Sequence, residues 1–239
     1  AERSFDKTLE IDPSCTRAWS AKADACHVLQ KPLEALDAYD RALETQPDNQ
    51  DIIYRKGLTL FNLKKYDAAL ASFDEVLGLN PGMSDAQFHR GLIFTELEKF
   101  DDAIDAFHTV TEQDPENIPA LFSTGSALNR LGRYEDAITV LDQLLLISPQ
   151  NANAQYLKGR ALMHLKHYQD AHSAFVSAAE YDPALARIAL YDGIALAKQG
   201  ADEEAIAAFD RELSINPKNA EAATRKGKSL IRLGRLPDA

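Results

Sequence analysis

The histidines are the first residues in this sequence whose type and spacing could support chemistry. His164, His167 and His172 lie close together, and a neutral imidazole is a common ligand of zinc. A structural zinc site needs four ligands at characteristic spacing, and no cysteine or carboxylate completes a tetrahedral set at that spacing. We therefore expect ordinary surface histidines, with no bound metal and no cofactor.

Pairs of neighbouring carboxylates could serve in acid–base catalysis. Such pairs occur at 101–102, 135–136 and 203–204, at the same phase of a 34-residue period. A carboxylate in the first turn of a helix interacts favourably with the helix dipole, and recurrence at one phase favours that structural role. The sequence also has no glycine-rich phosphate loop and no G-x-S-x-G motif. We expect no enzyme activity and assign no catalytic residue.

The elements that would position these side chains can be predicted from residues 53–81, IYRKGLTLFNLKKYDAALASFDEVLGLNP. Apolar residues recur every three or four positions in each half of this stretch, which predicts two amphipathic helices. Lys64 and Lys65 fall at the end of the first helix and Asp67 in the first turn of the second, where the helix dipole favours each charge. Pro81 ends the second helix because it has no N–H to donate. The predicted unit is a helical hairpin.

This hairpin pattern recurs every 34 residues. Two helices approach closely only where a side chain is absent or small, so small residues at fixed phase predict the packing positions. Proline recurs at positions 13, 47, 81, 115, 149, 183 and 217, glycine at 57, 91, 125, 159, 193 and 227, and alanine at 35, 69, 103, 137, 171 and 205. A fixed period of this length is typical of a stacked repeat array.

An aromatic residue between the two helices and a tryptophan in the first full copy complete the pattern. These residues are Tyr66, Phe100, Tyr134, Tyr168 and Trp19. With them the sequence resembles the tetratricopeptide repeat family over essentially its whole length. The resemblance implies an all-α fold, a right-handed superhelical solenoid of 34-residue helix-turn-helix repeats. We interpret the chain as one array and as a fragment of a longer protein, with half repeats at 1–15 and 220–239 and full repeats at 16–49, 50–83, 84–117, 118–151, 152–185 and 186–219.

Composition narrows the classes of partner. The formal net charge is −11, whereas a nucleic-acid-binding surface is basic, so we expect neither nucleic acid nor an anionic membrane as a partner. No apolar run approaches the roughly 18–20 residues that span a bilayer. Cys15 and Cys26 do not form a convincing disulfide pattern, and Cys26 falls at a core position. Free thiols suit a reducing compartment, which favours a cytoplasmic location.

The resemblance also implies that the first helix of each repeat lines a concave groove in which partners lie. Apolar residues occur at groove positions where a solvated face would be polar, and such patches usually mark binding sites. The predicted groove residues are Tyr54, Leu58, Phe61, Phe88, Leu92, Phe122, Asn129, Arg130, Tyr156, Arg160, Met163, Leu190 and Lys198. The alternative is that these side chains bury one another between adjacent first helices.

Charge gives the predicted groove a direction. Groove positions toward the start of the chain carry mainly acids, such as Asp24 and Asp51, whereas those toward the end carry bases, such as Arg130 and Lys198. We therefore expect a protein or peptide partner with apolar anchors and an acidic segment lying over the later repeats. Some members of the family hold a C-terminal carboxylate with lysines and asparagines, but Arg55, His89 and Arg225 are isolated bases that do not form such a set.

The function predicted from the sequence is a non-catalytic scaffold for protein–protein interaction. Two alternatives stay open, namely a regulatory or substrate-recruiting arm of a larger enzyme and a structural module that assembles end to end. End-to-end contact would use the lone helices at the two ends of the chain, through Phe5 and Leu9 at one end and Leu230 and Leu233 at the other. Frayed ends are the alternative.

Overall fold

The computed structural model describes residues 2–185 and 187–235, and the described part contains fourteen α-helices and no β-strand. The helices are α1 Glu2–Ile11, α2 Thr16–Val28, α3 Pro32–Thr45, α4 Gln50–Asn62, α5 Tyr66–Leu79, α6 Ser84–Glu96, α7 Phe100–Gln113, α8 Ile118–Leu131, α9 Tyr134–Ile147, α10 Ala152–His164, α11 Tyr168–Tyr181, α12 Ile188–Gln199, α13 Asp202–Ile215 and α14 Ala220–Arg232. The even-numbered helices are called first helices below, and the odd-numbered ones from α3 onward second helices.

The chain divides into two compact units, residues 1–113 and 114–239. In unit 1, the hairpins α2–α3, α4–α5 and α6–α7 stack in chain order, and α1 packs on α2. In unit 2, the hairpins α8–α9, α10–α11 and α12–α13 stack in the same way, and α14 packs on α13. First helices of successive hairpins also touch, as α4 touches α6 and α10 touches α12. Each unit therefore presents a row of adjacent first helices.

The glycine of each first helix is a packing position. A Cβ on Gly159 would lie 2.6 Å from Cε1 of Phe175, a residue of the second helix that is fully buried. Phe73, Phe107, Leu141 and Phe209 cover the glycines of the other complete hairpins in the same way. A buried ring over a bare backbone lets the two helices approach closely, which offsets the helix propensity that glycine loses.

Periodic polar contacts fix where the helices begin and turn. The Oδ1 atom of an asparagine accepts a hydrogen bond from the third backbone N–H of α4, α8, α10 and α14. At the hairpin turns one residue takes a left-handed conformation, and the next residue's N–H donates back into the first helix, as Lys65 N does to Leu60 O at 2.9 Å. These turn residues are Gln30, Lys64, Glu98, Gly132, Lys166, Gly200 and Gly234.

Neighbouring hairpins are also joined by ion pairs at a constant spacing of 16 residues. In five of the first helices, α2, α4, α6, α10 and α14, a base pairs with an aspartate of the preceding odd-numbered helix, as Lys158 Nζ does with Asp142 Oδ1 at 2.6 Å. The other pairs are Lys22–Asp6, Lys56–Asp40, Arg90–Asp74 and Lys226–Asp210. These basic side chains are about one-third exposed or less, so their stems pack between helices while their charges reach a partner.

Candidate binding faces on the first helices

In unit 1 the predicted groove residues lie on two adjacent first helices. Tyr54, Leu58 and Phe61 of α4 and Phe88 and Leu92 of α6, together called the unit-1 face, are all half-buried. Their buried parts pack on the core of their own hairpins: the ring centroid of Tyr54 lies 5.8 Å from that of Phe73 in α5, and that of Phe88 lies 5.5 Å from that of Phe107 in α7. The face is therefore a partly exposed apolar surface with a rigid base.

His89 lies at the centre of the unit-1 face. Its ring centroid is 5.8 Å from that of Tyr54, 6.0 Å from that of Phe61 and 5.9 Å from that of Phe88. His89 Nδ1 is 2.8 Å from the carbonyl oxygen of Asp85, which can only accept, so Nδ1 carries the proton. Burial, with the negative charge of Asp85, raises the pKa of Tyr54 to about 12. Sequence reasoning noted His89 only as an isolated base and missed its central position.

The acidic residues at the start of unit 1 are neutralised in part by Arg55. Its Nη1 donates to both carboxylate oxygens of Asp24 at 3.1 Å, and its Nε donates to Asp51 at 2.9 Å. The hydrogen bond to Asp51 and the charge of Asp24 raise the pKa of Arg55. A polar cavity of about 530 Å³ lies here between α2 and α4, with Asp24, Asp51 and Arg17 in its wall. This cavity has acids that already have a cationic partner.

In unit 2 the half-buried groove residues are Phe122 of α8 and Tyr156, Arg160 and Met163 of α10. Tyr191 of α12, which sequence reasoning did not select, joins them to form the unit-2 face. The Tyr191 ring centroid is 5.7 Å from that of Tyr156, and the guanidinium carbon of Arg160 lies 5.7 Å from the centroid of Tyr191 and 5.9 Å from that of Tyr156. Arg160 therefore lies over two aromatic rings, a stabilising cation–π arrangement.

Two predicted groove residues, Leu190 and Asn129, pack against or hydrogen-bond to their own unit. Leu190 is fully buried in the core of the α12–α13 hairpin, so the prediction that its side chain lines a groove is wrong. It occupies the same repeat position as Tyr156, but in α12 the next residue, Tyr191, lies on the face instead. Asn129 is half-buried, and its Nδ2 donates to the carbonyl oxygen of Leu157 at 3.1 Å. Asn129 thus joins α8 to α10, and its Oδ1 is buried without a hydrogen-bond partner.

Basic side chains surround a small cavity between α12 and α14. It has a volume of about 200 Å³, and Lys198, Arg225, Lys228 and Arg232 line it together with apolar residues of α12. Arg225 pairs with Glu221, and Arg232 Nε donates to both carboxylate oxygens of Asp202 at 3.0 Å. Within the described part of the chain, Lys198 and Lys228 have no ion-pair partner. Arg130 of α8, the other predicted base, is exposed.

The residues predicted to make an end-to-end contact differ in exposure. Leu9 and Leu230 are 7% and 2% exposed, so both are buried against their own unit and offer little surface to another molecule. Phe5 and Leu233 are half-buried. Phe5 occupies the repeat position at which Phe175 and its counterparts are fully buried over a glycine. At Gly227, the corresponding glycine of α14, no described atom lies within 4 Å of the point that a Cβ would occupy.

The histidines and the other described residues give no metal site. His164 stacks on Tyr134 with 4.4 Å between ring centroids, and His172 Nδ1 lies 2.5 Å from Asp192 Oδ1. Across residues 2–185 and 187–235, no group of three His, Cys, Asp or Glu side chains is arranged to hold a metal ion. Within the same residues, no helix has both the length and the apolar character to span a bilayer.

Comparison with known families identifies the repeat. Two family models, both described as Tetratricopeptide repeat, match this chain, one over residues 1–50 and 54–118 and the other over 94–161 and 128–192. The chain therefore belongs to the tetratricopeptide repeat family, which confirms the resemblance seen in the sequence. Proteins of this family are generally non-catalytic scaffolds for protein interaction.

Solved structures show the same fold at low sequence identity. YrrB, described as a TPR protein with an unusual peptide-binding site, is 22% identical, with 80% of this chain and 98% of that chain covered and a TM-score of 0.70. The C-terminal part of a TPR repeat-containing protein from Cytophaga hutchinsonii is 15% identical over 94% and 92% of the two chains, with a TM-score of 0.81. MamA is 21% identical over 72% and 94%, with a TM-score of 0.67. These likenesses confirm an all-α solenoid of helical hairpins. No curated protein matches the sequence.

Proposed function

We propose that this protein is a non-catalytic scaffold that binds a peptide or helix of a partner protein on its first helices. The observation that carries the proposal is that the first helices of each unit have half-buried aromatic side chains, on α4 and α6 in unit 1 and on α10 in unit 2. Aromatic residues fixed by a rigid base bury a large apolar area at low entropic cost, which is why they dominate binding energies at interfaces.

The unit-2 face is the stronger candidate for the main contact. Arg160 lies over Tyr156 and Tyr191, and Lys198 and Lys228 flank a cavity on the adjacent first helices. Cations without an internal partner attract a complementary acidic segment and increase its rate of association. A partner with an aromatic or aliphatic anchor followed by aspartates or glutamates fits this combination. YrrB, which has the same fold, is itself a peptide-binding protein by its description.

A peptide-selection experiment tests this proposal. Peptides selected on the purified chain from a random library should be enriched in apolar anchors next to acidic runs. The affinity of an enriched peptide should fall about tenfold or more in Tyr156→Ala and in the double variant Lys198→Glu/Lys228→Glu, because each removes a central contact. Affinity should also fall as salt is added, because the charges at this surface are screened.

Lys218→Glu is the matched control for that experiment. Lys218 is exposed in the connection between α13 and α14 and does not line the basic cavity, so the same lysine-to-glutamate substitution there should leave the affinity nearly unchanged. If selected peptides have no acidic preference, or if the cavity variants bind them as well as Lys218→Glu does, the assignment of the unit-2 face is wrong.

A second candidate function is end-to-end association between copies of this chain. The observation that favours it is the match between Phe5, a half-buried aromatic at a position that is elsewhere fully buried, and the uncovered backbone at Gly227. Phe5 of one copy would take the place over Gly227 that Phe175 takes over Gly159. Such a contact is heterologous and extends into chains of molecules.

Light scattering over a wide range of concentration tests this second candidate. The mass of the 239-residue chain should rise with concentration, and both Phe5→Asp and Gly227→Phe should abolish the rise, because one removes the ring and the other fills its site. A mass that stays at that of one chain throughout the range would contradict end-to-end association without affecting the proposed peptide site.

A further inference from the structure

The junction between α11 and α12 breaks the pattern of ion pairs that joins neighbouring hairpins. At the positions where the other two junctions of unit 2 have an aspartate and a base, Asp142 with Lys158 and Asp210 with Lys226, this junction has Val176 and Asp192. Val176 is 38% exposed, whereas Asp192 is 4% exposed. A long basic side chain is therefore missing from the crevice between the second helices, and a short buried acid is present in its place.

The start of α12 also departs from the repeat. In the neighbouring hairpins the first helix begins three residues after the periodic proline, as Ala152 follows Pro149. After Pro183, however, α12 begins only at Ile188, and Arg187 before it has a left-handed backbone with φ of +70°. Leu185 occupies the position at which Asn151 caps its helix, so no side chain caps α12. Arg187, whose counterpart Asn153 belongs to α10, here lies before the helix.

These departures coincide with a cavity of about 510 Å³ between α11, α12 and α13. Its walls are mainly apolar, with Phe175, Val176 and Ile188 on one side and Ile215 on the other. Ile215 is 66% exposed. Known small-molecule sites have volumes of roughly 300–1,000 Å³ and combine apolar walls with a few polar groups. The crevice at the preceding junction, between α9, α10 and α11, has a volume of about 400 Å³, and the Asp142–Lys158 ion pair lies within its wall.

Two buried carboxylates line this cavity, and they differ in their partners. Asp192 has two cationic or potentially cationic neighbours, since Oδ1 lies 2.5 Å from His172 Nδ1 and Oδ2 accepts from Arg211 Nη2 at 3.1 Å. Glu212 is 4% exposed and accepts one hydrogen bond, from Asn219 Nδ2 at 2.7 Å. No base among the described residues forms an ion pair with Glu212.

Glu212 is an exception among the residues at its position of the repeat. The same position in the other second helices holds the buried apolar residues Ala42, Val76, Val110, Leu144 and Ala178. A carboxylate in such a place has a large desolvation cost unless a cation or several hydrogen bonds compensate for it. Residues that break a local rule of their fold occur mainly at functional sites. One amide donor leaves the charge of Glu212 without a counter-ion.

We infer that this cavity is a second binding site, which takes a small organic cation with an ammonium group on an apolar body. The apolar body would lie against Val176, Phe175 and Ile215, and the ammonium group would donate to Glu212. The bases on the wall do not oppose this arrangement, because Arg211 is paired with Asp192 and Arg187 lies 3.6 Å from Glu221. Glu180 adds a further negative charge at the wall. The inference does not depend on the proposed peptide site.

A comparison of two probes of the same size tests the inference. Hexylammonium chloride and hexanol have the same apolar chain, so any preference for the ammonium ion reports the charge of the site. The wild-type chain should bind hexylammonium about tenfold more tightly than hexanol, since a charge-assisted hydrogen bond contributes roughly that factor. In a methyl NMR titration, the signals of Val176 and Ile215 should move, whereas those of Ile138 and Leu162, which line the crevice at the preceding junction, should not.

Two variants of Glu212 separate binding from folding. Glu212→Gln keeps an oxygen that can accept from Asn219 but removes the charge, so it should lose the preference for hexylammonium while its affinity for hexanol is unchanged. Glu212→Val introduces the residue that the chain has at Val76 and Val110, and it should behave in the same way with its fold intact. Equal affinity of the wild-type chain for the two probes, or an undiminished preference in Glu212→Gln, would overturn the inference and leave Glu212 as a partner of Asn219 alone.

Discussion

The unit-1 face and the unit-2 face have different centres at the same position of the repeat. His89 lies among the aromatic rings of the unit-1 face, and Tyr191, three periods later in the sequence, lies against Tyr156 in the unit-2 face. The negative charge of Asp85 acts on the first cluster, whereas Arg160 and Arg187 lie over the second. The repeat fixes where a side chain lies, and the residue at that position decides the charge and the exposed chemistry of the face.

Removing the central ring of each face should give the largest difference in stability between the two faces. Tyr191→Ala should lower the free energy of unfolding by about 2 kcal/mol, because the ring packs on Tyr156 and Phe175 and supports two arginines. His89→Ala should cost about 1 kcal/mol, because the imidazole is smaller and more polar. Chemical denaturation measures both. Ser123→Ala, at the same position of the repeat, should change stability by less than about 0.5 kcal/mol, and an equal cost for all three variants would contradict this comparison.

The two glycines Gly159 and Gly227 should respond to alanine with opposite sign. A Cβ on Gly159 would lie 2.6 Å from the buried ring of Phe175, so Gly159→Ala should destabilise unit 2 by about 1–2 kcal/mol after its gain in helix propensity. Gly227 has no described atom within 4 Å of such a Cβ, so Gly227→Ala should stabilise the protein by about 0.5–1 kcal/mol. Thermal unfolding of the two variants measures the signs. A loss of stability in Gly227→Ala would show that this position is covered.

The tyrosines of the two faces should ionise in a defined order. Burial raises the pKa of both Tyr54 and Tyr156, but Asp85 adds to the rise at Tyr54, whereas Arg160 and Arg187 oppose it at Tyr156. The phenolate absorbance of Tyr54→Phe and Tyr156→Phe, compared with that of the wild-type chain, should place the pKa of Tyr54 near 12 and above that of Tyr156. A pKa of Tyr156 above that of Tyr54 would show that nearby charge does not determine the order of the two pKa values.

The raised pKa of Tyr54 also makes stability depend on pH. The unfolded chain releases the phenol proton near the ordinary pKa of 10.0, while the folded chain keeps it until about 12. The contribution of Tyr54 to stability is therefore fully present below pH 10 and is lost as the pH rises toward 12. Over this range, Tyr54→Phe should lose less stability than the wild-type chain does in urea denaturation. Equal losses would contradict the assignment.

Substitutions at the hairpin turns of the two units should give the smallest changes in stability. The left-handed turn residues of unit 1 are Gln30, Lys64 and Glu98, whereas three of the four in unit 2 are glycines. A side chain in this conformation is strained, so Glu98→Gly should stabilise unit 1 by about 0.5 kcal/mol and Gly132→Glu should destabilise unit 2 by about 1 kcal/mol. Denaturant midpoints measure both changes. Lys99→Gly, one residue beyond the turn in unit 1, should give no gain.

The sequence predicted the helices and the family because both depend on local, periodic information. The prolines and glycines at a 34-residue period indicated where each hairpin ends and where its helices touch. The period predicted that Gly159 is a packing position, and the structure shows that the ring of Phe175 covers it. The aromatic groove residues Tyr54, Phe88 and Tyr156 were also predicted to be partly exposed, and they are half-buried. Their role in binding stays a prediction.

Only the tertiary structure decided which side chains pair, which are buried and where space is left. Leu190 has the sequence signature of a groove residue but is buried in the core of the α12–α13 hairpin, whereas Tyr191 next to it is half-buried on the unit-2 face. The ion pairs between hairpins, the central positions of His89 and Tyr191, and the buried carboxylate of Glu212 depend on contacts between residues of different helices. A helical period fixes the direction of a side chain along its own helix, but burial and charge at that point depend on what the neighbouring helices place against it.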